Sequence, residues 1–63
     1  MMHIEQIAVR AREEFTEMPG LRLTIRQAQR LWGLEALTCQ AVIHLLVAQS
    51  VLRLQNGHLT AMR

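Results

Sequence analysis

Asn56-Gly57, set between two runs of alternating polarity, constrains this 63-residue chain more than any other feature. Asn and Gly tolerate the positive φ that both central positions of a type I′ turn demand, and that turn matches the twist of paired strands. With the dipeptide as the turn, Gln55 pairs with His58, Leu54 with Leu59, Arg53 with Thr60 and Leu52 with Ala61. Cross-strand partners share a face, and successive residues alternate between faces. One register therefore sends Leu52, Leu54, Leu59 and Ala61 inward and Arg53, Gln55, His58 and Thr60 outward. A slip of one residue would reverse all of them. The chain is expected to end in a β-hairpin over about residues 51–62.

A lone two-stranded ribbon is marginal in water, so upstream segments must cover its apolar face. Ile4, Ile7, Ala8, Ala11, Phe15 and Met18 recur at three- and four-residue intervals, which predicts an amphipathic helix over about 3–17. Pro19 biases Met18 away from helical angles, and Pro19-Gly20 predicts a type II turn. Leu21-Arg22-Leu23 alternates and is short enough for a small edge strand. Thr24 and Gln27 have the spacing of a capping box, in which each side chain satisfies the other's backbone N–H. A helix over about 25–32 follows, with Ile25, Ala28, Leu31 and Trp32 on one face and Arg26 and Arg30 one turn apart on another. Gly33 has the freedom to leave that helix, and Leu34 is placed to plug the corner. A third helix, about 36–49, lays Cys39, Val42, Ile43, Leu46 and Val47 on a core stripe, and Glu35 favours its positive end. The expected architecture is one domain over 1–63, α+β but mostly α: three helices and a C-terminal hairpin.

A chain this short buries only about 60% of its unfolded surface. At 51% hydrophobic it has more apolar side chains than so small an interior absorbs. Self-association as a homodimer is therefore expected, through apolar residues of the first helix such as Ile4 and Val9. The single cysteine, Cys39, has no internal disulfide partner, which suits a reducing compartment. The longest apolar run, Ala41 to Ala48, contains His44 and falls far short of the roughly 20 residues of a membrane span. Glu5, Arg10, Arg12, Glu13 and Glu14 occupy the region where a signal peptide would be apolar, so a cytoplasmic location without membrane attachment is expected.

Chemistry is sparse. His3, His44, His58 and Cys39 lack the short spacings of zinc ligands, so no metal is expected. The chain has no Asp, no nucleophile beside a base and no phosphate-cradling glycine loop, which argues against an enzyme, a cofactor or a small-molecule ligand. Trp32 and Phe15 have the spacing of core residues rather than of a stacking site.

Charge is distributed unevenly. Over residues 1–17, Arg10 and Arg12 stand against four glutamates, a balance of −2. Over residues 18–63, five arginines stand against Glu35, a balance of +4, and the chain contains no lysine. A basic region of this kind suits a polyanionic partner.

Met18-Pro19-Gly20-Leu21-Arg22-Leu23-Thr24, with Gln27-Ala28, Leu31-Trp32-Gly33-Leu34, Cys39 and Leu46-Val47, resembles small bacterial winged-helix proteins of the transcription-regulator type. The resemblance spans about two-thirds of the chain, from Met18 to the hairpin. It implies a three-helix winged helix-turn-helix whose third helix enters the major groove of double-stranded DNA, whose Arg26 and Arg30 approach phosphates, and whose hairpin tip, Gln55 to His58, is the wing. Two departures stand out. Ser50-Val51 replaces the glycine and aromatic residue that often follow the third helix, and the wing has no aromatic residue.

The candidate nucleic-acid contacts are Arg22, Arg26, Arg30 and Arg53 for phosphates, Thr38, Gln40 and His44 for base edges, and His58 on the wing. The competing expectation is a protein-interaction module. The outer face of the third helix holds Leu37, Ala41 and Leu45 with no Arg or Lys, and exposed apolar surface marks interfaces.

Overall fold

A computed structural model describes residues 3–62; the first two positions and the last of the expected 1–63 domain lie outside the described residues. The chain runs through α1 (Ile4–Glu17), β1 (Arg22–Thr24), α2 (Ile25–Trp32), α3 (Ala36–Ala48), β2 (Leu52–Gln55) and β3 (His58–Ala61). It is α+β and mostly helical, with one three-stranded antiparallel sheet in the order β1-β3-β2.

The hairpin adopts the register read from the sequence, Leu52 opposite Ala61 through Gln55 opposite His58. Asn56 at φ 53° and Gly57 at φ 77° supply the two positive angles of the I′ turn. β1 then adds to the far side of β3, placing Arg22 opposite Thr60, Leu23 opposite Leu59 and Thr24 opposite His58. The hairpin's second strand thus becomes the centre of the sheet.

Leu23, Leu52 and Leu59 face the helices and are buried, together with Ile7, Ala8, Ala11 and Phe15 of α1, Ala28 and Trp32 of α2, Leu34, and Cys39, Val42, Ile43 and Leu46 of α3. Full burial of a side chain such as Leu46, Leu52 or Leu59 is worth roughly 1.5–3 kcal/mol over exposure. No buried polar or charged residue interrupts this core among the described residues.

Both helices of the central pair end in the same motif. In α2, Leu34 N–H donates to Gln29 C=O at 3.0 Å and Gly33 N–H to Arg30 C=O at 3.3 Å, with Gly33 left-handed at φ 64°. In α3, Val51 N–H donates to Leu46 C=O at 2.9 Å and Ser50 N–H to Val47 C=O at 3.0 Å, with Ser50 left-handed at φ 60°. These are paired Schellman closures that satisfy otherwise orphaned carbonyls. In the second closure a serine, not a glycine, holds the left-handed position.

Several sequence expectations change. Leu21 N–H closes a turn on Met18 C=O at 2.9 Å, but Gly20 does not take the positive φ that a type II turn requires. Leu31 is 50% exposed because α2 spans little more than two turns and meets the core only through Ala28 and Trp32. Val47 and Ile25 are also exposed, at or near helix ends beyond the packed region. Leu54 is 46% exposed although its partner Leu59 is fully buried. It lies on the outer strand next to the turn, where the ribbon projects past its cover. Leu45, expected on the outer face of α3, is half-buried and packs against the core. Ile4 and Val9, offered as dimer contacts, are both exposed on α1, about 140° apart around the helix. No helix among the described residues is long and apolar enough to cross a membrane.

Candidate nucleic-acid interface

The candidate interface begins at the Thr24 capping box. Gln27 N–H donates to Thr24 Oγ1 at 3.0 Å, and Thr24 N–H donates to Gln27 Oε1 at 2.9 Å. This launches α2 directly from β1. Gly33-Leu34-Glu35 then turns the chain so that the axes of α2 and α3 meet at 106°. Helix-turn-helix pairs cross at about 90–120° over a turn of three or four residues that often includes glycine.

Arg26 and Arg30 are exposed on α2, on the side away from buried Ala28 and Trp32. On α3, Gln40 and His44 are exposed one turn apart, while Thr38 is half-buried. Thr38 and Gln40 sit on opposite flanks of the outer face, because two residues rotate about 200° around a helix. Leu37, 79% exposed, is the most exposed large apolar residue among the described residues.

Arg22 and Arg53 occupy a different surface. Both stand opposite Thr60, one on each side of the central strand, so the three form a row across the sheet. The neighbouring outward row is Thr24, His58 and Gln55. His58 is half-buried, with Nδ1 3.1 Å from the Asn56 carbonyl oxygen. Because Leu23, Leu52 and Leu59 point into the helix layer, these two rows look away from it.

The eight candidate residues therefore divide between two faces: Arg26, Arg30, Thr38, Gln40 and His44 on α2 and α3, and Arg22, Arg53 and His58 on the sheet. The only ion pair among the described residues is Arg10 with Glu14, 3.8 Å apart within α1. All four candidate arginines are exposed. Thr60 was not singled out from the sequence as a site residue. Its position between two arginines depends on β1 joining β3, a pairing between segments more than thirty residues apart that no local pattern reveals.

Among the described residues no three His, Cys, Asp or Glu side chains cluster as metal ligands. Cys39 is fully buried, and burial pushes its thiol pKa up, away from the reactive thiolate. No protein-family model, curated protein or solved structure matches the chain.

Proposed function

We propose that this chain is a winged helix-turn-helix unit that binds double-stranded DNA, as a small transcriptional regulator or accessory factor. The supporting observation is the 106° crossing of α2 and α3 over a three-residue glycine turn, with Arg26 and Arg30 exposed on the outer side of α2. In this reading α3 lies in the major groove. Gln40 and His44 approach base edges, and the two arginines hold the flanking phosphates. Since α3 carries no Arg or Lys, phosphate contacts supply most of the affinity and base contacts little discrimination. Leu45 turning into the core shrinks the apolar outer face of α3 and weakens the case for protein docking there.

A duplex-binding titration across salt concentrations tests this. Removing one arginine–phosphate interaction lowers the steepness of log K against log salt by about 0.9. Arg26→Ala with Arg30→Ala is expected to flatten the slope by about 2 and to weaken binding to every sequence alike. Wild-type protein that ignores duplex DNA even at low salt would refute the reading.

The exposure of Leu37 favours a second reading, a protein-interaction module on the same scaffold. Leu37→Glu separates them. Loss of self-association or partner capture, with DNA binding unchanged, identifies the docking function.

A further inference from the structure

The outward face of the sheet is a surface that the α2–α3 reading leaves unused. Its six positions are Arg22 and Thr24 on β1, His58 and Thr60 on β3, and Arg53 and Gln55 on β2. None is a carboxylate. Arg22 and Arg53 flank Thr60, and two strand spacings put their backbones roughly 10 Å apart. Long guanidinium arms on either side of a hydroxyl make a row of donors with no acceptor group of opposite charge. The face looks away from the helix layer, so a duplex seated against α3 does not also lie flat on it.

We propose that this sheet face is a second polyanion-binding surface, taking the phosphodiester backbone of a separate DNA duplex so that one chain bridges two segments. The proposal rests on the DNA-binding reading above and extends it to a second site. Charge selects the occupant, and side-chain chemistry narrows it to duplex. A single-strand platform stacks successive bases on successive aromatic rings. This face has no Phe, Tyr or Trp, and its one imidazole, His58, is held at the turn through Asn56. Arginine and threonine instead contact phosphate oxygens without reading sequence. A second copy of the chain is a poorer fit. The acidic outer side of its α1 is interrupted by Arg10 and Arg12, and Glu14 is already paired with Arg10.

The test is capture of a fluorescent duplex by protein loaded on a bead-bound duplex of unrelated sequence. Wild-type protein is expected to capture it, and capture per protein molecule retained on the beads should weaken about tenfold between roughly 50 and 200 mM salt, as two phosphate contacts require. Arg22→Gln with Arg53→Gln is expected to abolish capture of the second duplex by protein still held on the beads through Arg26 and Arg30. Capture is counted per molecule retained, so that any general loss of affinity from the two missing charges is divided out. Thr60→Glu, which puts a carboxylate between the arginines, should do the same, with circular dichroism confirming the fold of both variants. If the double variant captures as well as wild type, the bridge runs through paired copies of the α2–α3 face and the proposal is overturned. The same follows if wild type binds one duplex but never a second, a result that leaves the DNA-binding reading standing. If the variants instead lose a self-association that wild type shows without DNA, the face belongs to a second copy and the proposal is again overturned. Absence of any duplex binding removes both readings together.

Discussion

Ser50→Gly is expected to stabilise this protein. Ser50 occupies the left-handed position of the closure after α3 at φ 60°, four degrees from the φ 64° of Gly33 in the matching closure after α2. A Cβ in that conformation costs roughly 1–2 kcal/mol, and glycine removes the cost. Glycine also gives the unfolded chain more freedom, which returns about 0.4–1 kcal/mol. The net gain is about 1 kcal/mol. Ser50 is exposed, so little packing is lost in exchange. For a domain of this size the gain corresponds to a rise in Tm of about 4–8 °C. Thermal and urea unfolding of wild type, Ser50→Gly and Ser50→Ala measure it. Alanine keeps the Cβ and should stay within about 0.5 kcal/mol of wild type, as surface substitutions do. A glycine variant that melts at or below the wild-type temperature would show that serine is not strained there, and the account of the closure would be wrong.

The reciprocal change, Gly33→Ala, should cost about 1 kcal/mol net, because the space around its added Cβ is open and only backbone strain opposes the gain alanine makes through the unfolded chain. Gly20→Ala, in equally open space but without positive φ, should be neutral or stabilising by up to about 1 kcal/mol, and the pair is read by urea midpoints. Trp32 Nε1 is buried without a hydrogen-bond partner. Trp32→Phe removes that unsatisfied N–H, worth about 1–3 kcal/mol, while losing ring volume, so it should be far milder than Trp32→Ala at about 3–5 kcal/mol. Cys39 gives an alkaline signature: its folded pKa lies above its ordinary value of 9.0, so the unfolded thiol ionises first and stability falls as pH rises past that value. The chain has no Lys or Tyr to titrate nearby, so Cys39→Ala should remove the alkaline fall in urea midpoint.

Features governed by near neighbours were legible from residue order. The Thr24–Gln27 box, the glycine exit at Gly33 and the hairpin register each involve groups a few residues apart, and each formed as read. Helical periodicity also found the segments that make up α1, α2 and α3. It was less reliable about which apolar residues would be covered. Leu31 and Val47 share the spacing of core residues, yet burial needs another element to reach them, and none does. Ser50 illustrates a different limit. Nothing in its identity marks a left-handed position, but the two hydrogen bonds made by Ser50 and Val51 hold the backbone there.

The order of amino acids by itself determined the local elements, the hairpin pairing and the presence of basic residues after a more acidic first helix. Only the tertiary structure decided how those arginines are grouped. Strand β1 joins β3, bringing Arg22 and Arg53 to either side of Thr60, while Arg26 and Arg30 remain on α2. The reason is physical: hydrogen-bonded turns and caps depend on neighbours along the chain, whereas a shared surface depends on which distant backbone edges and apolar faces find each other in space.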